Sequence, residues 1–162
     1  MITVKTMGPQ DEKELIAFNR LCFPTDFWKE EDWNELLNDP RAVYHALTDG
    51  ERLVGNVFIY NWQGELDYVK IMNLSVHPDY RGRGLAKKLL ALVAEEYSRL
   101  GMKRFCGETR ESNVPMQRAF EACGYRLNRV EEGCFENPAE SAYKYVLELD
   151  RSPGETALRK AK

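Results

Sequence analysis

Apolar residues follow two different periods along the chain, and each change of period marks a predicted element. Alternating or short apolar runs predict strands at residues 2–6, 42–47, 53–60, 65–76, 103–109, 125–132 and 142–150. Apolar residues three or four positions apart predict helices at residues 9–21, 30–37, 84–100 and 113–123. The resulting order, β-α-α-β-β-β-α-β-α-β-β, indicates an α/β fold with hairpins on one side.

Turn and cap residues support these boundaries. Asp49-Gly50, between the second and third strands, is a strong hairpin signal. Gly101 and Gly124 follow the third and fourth helices, and a glycine at that position commonly ends a helix. Asn113 stands at the start of the fourth helix, where an asparagine side chain is suited to cap the first turn.

Composition narrows the class of protein. The chain is 43% hydrophobic and 30% charged, as in ordinary folded domains, and its net charge of −3 argues against a dedicated nucleic-acid binder. No apolar run approaches the roughly 20 residues needed to cross a bilayer, and residues 1–5 lack the layout of a secretory signal. We expect one domain over residues 1–150 and a polar, disordered tail over residues 151–162.

The four cysteines show no paired spacing of the kind that binds metal. We therefore expect no metal, reduced thiols and a cytoplasmic protein. Cys106 and Cys123 lie in apolar surroundings and are expected to be buried, whereas Cys134 is expected in a loop. No pattern of His and Asp partners supports a covalent acyl-cysteine intermediate.

The most specific pattern is a strand that leads through a basic glycine turn into a helix. Residues 73–76 end the strand, Arg81-Gly82-Arg83-Gly84 forms the turn, and the helix follows directly. Glycines let the backbone approach a ligand, and the amides of a helix N-terminus attract an anion, so this pattern suits a diphosphate. The alternative is a strand–helix joint in which the glycines only allow tight packing.

The spacing Arg81-x-x-Gly84-x-Ala86 resembles the acetyl-coenzyme A (acetyl-CoA) motif of the GNAT family of N-acetyltransferases, Arg/Gln-x-x-Gly-x-Gly/Ala. The resemblance extends over about residues 2–150, including the order of elements and the end of the fourth helix. It implies a mixed, mostly antiparallel sheet of about six or seven strands, with helices on both faces and a splayed central strand pair. Residues 22–24 and 73–76 further resemble the branch that acetylates protein N-termini, including ribosomal-protein alanine acetyltransferases.

The same resemblance implies acetyl-CoA as co-substrate, bound in the gap between the splayed strands. Backbone groups of Leu74, Ser75 and Val76 would hold the pantetheine arm, and the Val76 amide would polarise the thioester carbonyl. Asn113 would contact the arm from the other side, although capping the helix explains an asparagine there equally well. The implied cofactor-binding positions are Leu74, Ser75, Val76, Arg81, Gly82, Arg83, Gly84, Leu85, Ala86, Lys87 and Asn113.

For catalysis, the resemblance implies that Glu108 is the general base, which takes the proton of the amine. The alternative is a solvated carboxylate at a strand end, paired with Arg110. The N-terminal branch uses a tyrosine in the fourth helix to protonate the leaving sulfur, and the matching position here is Phe120. Water is then the simplest proton donor. Other candidates, which are more typical of packing residues, are Tyr125, Tyr143 and Tyr145.

The sequence defines the residues that bind the acceptor amine less clearly than those that bind the coenzyme. Phe27 and Trp28 lie in the segment that covers the acceptor groove in this family, so the resemblance implies that they bind substrate. The alternative is that the aromatic residues of this segment, with Trp33, pack the first two helices on the sheet. Four glutamates at positions 131, 132, 136 and 140 suggest either an acidic rim that attracts a cationic amine or an ordinary solvated loop.

These observations favour an acetyl-CoA-dependent N-acetyltransferase that transfers acetyl directly to a primary amine, foremost a peptide or protein N-terminus. Two alternatives stay open. One is an enzyme for a small amine, such as a polyamine, an amino acid or an aminoglycoside, and the other is a non-catalytic acyl-CoA-binding module. No membrane or nucleic-acid partner is expected, and the chain is expected to be a monomer or a homodimer.

Overall fold

The computed structural model describes residues 1–23, 29–61, 68–136 and 138–149. In these ranges the strands β1 to β7 are Ile2–Met7, Ala42–Asp49, Arg52–Asn61, Tyr68–Val76, Arg104–Arg110, Arg126–Phe135 and Glu140–Glu148. The helices α1 to α4 are Glu12–Cys22, Glu30–Leu37, Leu85–Arg99 and Val114–Ala122, with 3-10 turns at Pro9–Asp11 and Pro78–Tyr80. None of these helices is long and apolar enough to cross a membrane.

The strands form one mixed sheet in the order β1-β2-β3-β4-β5-β7-β6. The pairs β1–β2, β2–β3, β5–β7 and β6–β7 are antiparallel. Strands β4 and β5 are parallel and pair through Tyr68–Lys70 and Arg104–Cys106. The expected mixed, mostly antiparallel sheet is confirmed, with seven strands in the part of the chain that the structure describes.

The described residues group into two compact units. The first comprises residues 1–61 and 71–90, and therefore β1 to β3, α1, α2, most of β4 and the first residues of α3. The second comprises residues 62–70 and those from 91 onward. The expectation of one domain over residues 1–150 stays a prediction, and the expected tail at 151–162 lies outside the described residues.

An aromatic cluster forms the core of the first unit. Trp33 of α2 is fully buried, with its ring centroid 5.8 Å from Tyr44 and 5.7 Å from Phe58. Tyr44 and Phe58 meet edge to face at 5.2 Å. Helix α1 adds buried side chains at helical spacing, among them Leu15 and Phe18. Trp33 therefore packs α2 against the sheet, as one of the two alternatives for this segment expected.

The second unit has its own aromatic core beneath α4. Phe120 is 1% exposed and stacks on Tyr145, with centroids 5.0 Å apart and planes 13° apart. Tyr125 lies 5.0 Å from the same Phe120 ring, and Phe105 of β5 is fully buried. Stacked and edge contacts of this kind add to the stability that burial of the rings provides.

The turn and cap signals of the sequence are confirmed. Asp49 lies opposite Arg52 across a two-residue loop, and Gly50 in that loop has φ +63°. Gly101 and Gly124, which end α3 and α4, have φ values of +94° and +91°. A residue with a Cβ adopts this left-handed conformation at a cost, so glycine suits all three positions.

The start of the first helix and the end of β6 each differ from the sequence prediction by three residues. The first helix does not run from residue 9, because Pro9–Asp11 forms a 3-10 turn before α1 begins at Glu12. Strand β6 continues to Phe135, which pairs with Glu140 after an irregularity in the register. Cys134 therefore lies in a strand and not in the expected loop, and Gly133 at φ +71° allows the irregularity.

Candidate active site

The glycine loop, residues 81–84, connects the 3-10 turn after β4 to helix α3. Gly82 and Gly84 have φ values of +79° and +77°, which disfavour any residue with a Cβ. A Cβ built at either position would meet no other atom within 4 Å. The glycines are therefore required for the path of the backbone, and the surface above them is open to a ligand.

Helix α3 presents its first amides beside this open surface. The first backbone hydrogen bond that enters the helix runs from the Lys88 N–H to the Gly84 carbonyl, at 3.1 Å. The amides of Leu85 and Ala86 precede that bond and have no acceptor within the helix. The Leu85 side chain is only 8% exposed, so it anchors the helix start in the core. This arrangement fits the diphosphate of a nucleotide, since unpaired amides and the helix dipole both favour an anion.

The two arginines of the loop are held by neighbouring carbonyl oxygens. Arg81 donates from Nε to the Val76 carbonyl at 3.2 Å and from Nη2 to the Cys22 carbonyl at 3.4 Å. Arg83 donates to the Asp79 carbonyl at 3.3 Å and lies over the Tyr80 ring, 4.6 Å from its centroid. Both arginines stay exposed, so they add positive charge beside the loop while fixing its shape.

The 3-10 turn before the loop is tied to the β2–β3 hairpin. Arg52 Nη2 donates to Asp79 Oδ2 at 3.2 Å and lies 3.2 Å from His77 Nε2. Tyr80 donates from its hydroxyl to Asp49 at 2.6 Å. The loop therefore starts from a turn that three polar contacts hold in place.

Cys22 lies against the end of β4. Its Sγ contacts the Val76 carbonyl oxygen at 3.6 Å. Burial raises the pKa of the Cys22 thiol to about 11, against the opposing effect of the nearby Arg81 charge. The sulfur is therefore a thiol near neutral pH, which argues against a covalent intermediate on this residue.

A buried polar cluster underlies the same strand, and the sequence did not predict it. The Asn73 Oδ1 accepts hydrogen bonds from Asn19 Nδ2 at 3.1 Å, Asn56 Nδ2 at 3.2 Å and Ser75 Oγ at 3.0 Å. Asn19 and Asn56 are fully buried and Ser75 is 2% exposed. One oxygen thus holds α1, β3 and β4 together, directly before the residues predicted to hold the pantetheine arm. The polar residues Asn73 and Ser75 in a mainly apolar strand were the signal that the sequence offered.

In the second unit, Glu108 lies on β5 in an open cleft of about 290 Å³. We call this the Glu108 cleft, and its charged lining residues are Lys70, Arg104, Glu108, Arg129 and Lys144. The Glu108 side chain is 41% exposed, and its carboxylate lies 3.5 Å from Lys144 Nζ. Lys144 is the ion-pair partner that the described residues provide for Glu108, whereas the alternative interpretation of Glu108 paired it with Arg110.

Lys144 is shared with a second carboxylate. Its Nζ lies 2.6 Å from Glu131, which belongs to β6. The hydrogen bond between them lowers the pKa of Glu131 and raises that of Lys144. The ammonium therefore stays charged beside Glu108, at a distance where it can orient that carboxylate.

Arg110 instead closes the β6–β7 connection. It donates to Glu140 Oε2 at 2.8 Å, to the Pro138 carbonyl at 2.7 Å and to the Glu136 carbonyl at 2.6 Å. Glu140 also accepts from the Ser112 N–H at 2.8 Å. Its hydrogen bonds to Ser112, foremost, and to Arg110 lower the pKa of Glu140. Glu140 is therefore part of a fixed connection and does not contribute to a free acidic rim.

Asn113 and Phe120 have well-defined contacts in the second unit. The Asn113 Oδ1 accepts from the Met116 N–H at 3.2 Å, so Asn113 caps α4 as expected. Its contact with a pantetheine arm stays a prediction. Phe120 has no polar atom to offer, and its ring partner Tyr145 donates to Glu121 at 3.5 Å. The Tyr125 hydroxyl is buried without a hydrogen-bond partner among the described residues, and burial raises the pKa of Tyr125.

The strand, the glycine loop and the helix that follows all lie within the part of the chain that matches a known family. The family model described as "Acetyltransferase (GNAT) family" matches residues 12–125, which is more than half of the chain. The chain belongs to the GNAT acetyltransferase family. The family and the fold expected from the sequence are thereby confirmed.

Similar proteins agree with this membership. A Haemophilus ducreyi protein named [ribosomal protein bS18]-alanine N-acetyltransferase is 26% identical over 146 residues, covering 89% of this chain and 96% of the relative. The Escherichia coli ribosomal-protein-S18-alanine N-acetyltransferase structure matches with a TM-score of 0.84 at 19% identity, covering 94% of this chain and 96% of that one.

A eukaryotic member of similar shape is also known. Arabidopsis thaliana NAA60 in complex with a bisubstrate analogue matches with a TM-score of 0.81 at 23% identity, covering 94% of this chain and all of that one. The same protein has been solved in complex with acetyl-CoA, with a TM-score of 0.78. At these identities the structural matches establish the GNAT fold of this chain.

Two of the predicted site residues of this GNAT member lie outside the residues that the structure describes. These are Phe27 and Trp28, which are expected to bind substrate. Within the described ranges, no group of three or more His, Cys, Asp or Glu side chains is placed to hold a metal ion. The remaining predicted residues fall into two sets. The glycine loop and the end of β4 belong to the first unit, and Glu108 and Asn113 belong to the second.

Proposed function

We propose that this protein is an acetyl-CoA-dependent N-acetyltransferase that transfers acetyl directly to the N-terminal amine of a peptide or protein. The observation that carries the proposal is the open glycine loop, in which Gly82 and Gly84 at positive φ lead into the unpaired first amides of α3. The diphosphate of acetyl-CoA would bind there, with Leu74, Ser75 and Val76 along the pantetheine arm.

The acceptor class is supported by the related enzymes. The Haemophilus ducreyi relative is named for alanine N-acetylation of ribosomal protein bS18, and the chain covers nearly all of it. Four free cysteines agree with a reducing compartment, so the proposal includes action in the cytoplasm, where new protein N-termini emerge.

The proposed reaction is a direct transfer. The amine is bound as an ammonium ion and loses a proton to Glu108, directly or through one water molecule. The amine nitrogen then attacks the thioester carbonyl carbon, and the negative charge on the carbonyl oxygen is stabilised by the Val76 amide. The C–S bond breaks as the amide forms, and the nitrogen gives up its second proton to solvent water. The departing thiolate takes a proton from water, since Phe120 has none to donate.

The test is a panel of acceptors incubated with the purified protein and acetyl-CoA. Release of free CoA is followed with a thiol reagent, and the product is identified by mass spectrometry as a peptide 42 Da heavier. We expect turnover with peptides that carry a free N-terminus and none with the same peptides blocked by an N-terminal formyl group. Turnover with polyamines or aminoglycosides alone would assign a small-molecule acceptor. Binding of acetyl-CoA without turnover on any amine would identify a non-catalytic module.

A further inference from the structure

The Glu108 cleft carries more positive than negative side chains. Lys70 of β4, Arg104 of β5, Arg129 of β6 and Lys144 of β7 line it together with Glu108. The whole chain has a net charge of −3, so a basic cleft is not what its composition predicts. A local excess of one sign in a concave surface concentrates ligands of the opposite sign.

Two of these cations are already neutralised by the protein. Lys144 lies between Glu131 at 2.6 Å and Glu108 at 3.5 Å. Arg129 lies 3.5 Å from the same Glu131 carboxylate. Because Glu131 is bound in this way and Glu140 is bound by Arg110, the hairpin does not offer these two carboxylates to a cationic acceptor.

Lys70 and Arg104, the other two cations of the cleft, are not neutralised in this way. Among the described residues, neither lies within ion-pair distance of a carboxylate. Glu148 faces Arg104 in the β5–β7 register, but its carboxylate binds Arg126 at 3.1 Å. Burial raises the pKa of the Cys106 thiol, and the charges of Arg104 and Lys70 act against that effect. The positive charges of both side chains therefore act on the cleft lining at Cys106.

The register sets the spacing between Lys70 and Glu108, while Arg104 lies two residues before Cys106 on β5. Lys70 lies beside Cys106 in the β4–β5 pairing, and Glu108 is two residues farther along the same face of β5. Two residues of strand span about 7 Å. A peptide's terminal amine and the side-chain carboxylate of its second residue are separated by a similar distance. In a free amino acid the carboxylate is only about 3 Å from the amine, which is too short to reach both positions.

We infer that the preferred acceptor is a peptide whose N-terminal residue is followed by Asp or Glu, with this carboxylate bound by Lys70 and Arg104 while the amine faces Glu108. The inference rests on the proposed function and narrows its acceptor to an acidic N-terminus. It goes beyond the names of the related enzymes, which specify no acidic residue.

The experiment compares matched peptides that differ only at the second position, Glu against Gln and Asp against Asn. We expect kcat/KM to be about three- to tenfold higher for each acidic peptide, the range that one or two exposed ion pairs provide. A peptide with Lys at that position should be the poorest of the set. The preference should shrink as salt is raised, because exposed charges are then screened.

Variants assign the preference to the two cations. In the double variant Lys70→Gln with Arg104→Gln, the ratio of acidic to amide peptide should fall towards one. Lys103→Gln removes the same charge from the position next to Arg104 but outside the cleft lining, so it should keep the wild-type ratio. Should the double variant fold poorly, the salt dependence of the wild-type ratio tests the same charges.

The outcomes separate the inference from the proposed function. Turnover of peptides with equal kcat/KM for the acidic and amide forms would overturn the inference and leave the N-acetyltransferase intact. A loss of the acidic preference in Lys103→Gln as large as in the double variant would also overturn it. A higher KM for acetyl-CoA in the double variant, with the acidic preference unchanged, would assign the cations to the coenzyme instead. Failure to acetylate any peptide would refute the proposed function itself.

Discussion

The glycine loop and the Glu108 cleft are built in opposite ways. The loop depends on backbone, since Gly82 and Gly84 set its path and the first amides of α3 face its open surface. The cleft depends on side chains from four strands, and its charges are arranged around Lys144. The first is a local structure of a few consecutive residues, whereas the second exists only after the strands have paired.

This difference determines how far each region can change between related enzymes. A backbone site binds the same group whatever the neighbouring side chains are, which suits a co-substrate that a whole family shares. A site made from side chains on several strands changes with a single substitution, which suits an acceptor that differs from one enzyme to another. The glycine loop and the Glu108 cleft should therefore respond differently to mutation, the loop at Gly84 and the cleft at Glu108.

The largest effect is expected at Glu108. Replacing it by Gln removes the proposed proton acceptor while keeping the size of the side chain, so kcat should fall by about 10²-fold or more. Steady-state assays of CoA release across a range of pH give the measurement. Glu132→Gln, an exposed change on β6, is the matched control and should keep the wild-type kcat. A kcat within about threefold of wild type with an unchanged pH profile would remove Glu108 from the mechanism.

The next effect is expected at Asn73. Asn73→Leu leaves the donors of Asn19, Asn56 and Ser75 without their shared acceptor, so the free energy of unfolding should fall by about 2 kcal/mol. Asn73→Asp keeps an oxygen in place and should lose less. Urea denaturation of both variants measures the difference. Equal stability of Asn73→Leu and the wild type would show that the cluster contributes nothing.

A third, smaller effect is expected at Gly84, where the backbone path of the loop can be tested separately from the stability of the fold. Gly84→Ala and Gly50→Ala each place a Cβ on a residue at positive φ, and each should cost about 1 kcal/mol of stability. Only Gly84→Ala should weaken CoA binding, by about tenfold, because a displaced loop misaligns the amides. Calorimetric titration with CoA measures the affinities. Unchanged affinity in Gly84→Ala would argue against the diphosphate site.

The smallest effect concerns acid stability. The pKa of Glu140 is lower in the folded protein than in the unfolded chain, so its contribution is present above the unfolded value of about 4.3 and is lost as the pH falls through the folded value. Urea midpoints of the wild type should therefore drop more between neutral pH and about pH 3 than those of Glu140→Gln. Glu51→Gln, in the β2–β3 turn, should keep the wild-type drop. The same drop in Glu140→Gln would contradict the assignment.

The sequence predicted the order of elements and the glycine loop because both depend on neighbouring residues. Two glycines as close as Gly82 and Gly84 indicate a turn. The strand before them and the helix after them are recognisable from the spacing of their apolar residues. The same local logic predicted Asn113 as a cap. The boundaries that failed, such as the end of β6, depend on pairing across an irregular register that Gly133 allows.

The partners of the predicted residues could not be found in this way. Glu108 and Lys144 meet because β5 and β7 pair in one particular register, and a register is not visible in either strand alone. Asn73 looked like a polar residue in an apolar strand, yet its contacts join α1, β3 and β4. Side chains brought together by tertiary pairing therefore needed the structure, even where one of the two partners, such as Glu108, stood out in the sequence.

The peptide unit between Val76 and His77 is fixed at both ends. Its oxygen accepts from Arg81 and Cys22, and its N–H donates to the Val54 carbonyl at 2.8 Å. The end of β4 and the start of the glycine loop are consequently held a set distance apart before any coenzyme arrives. With the thioester at that strand end and the diphosphate at the loop, the fixed separation matches only one length of the pantetheine arm. CoA analogues that are one methylene shorter or longer should therefore be poor substrates.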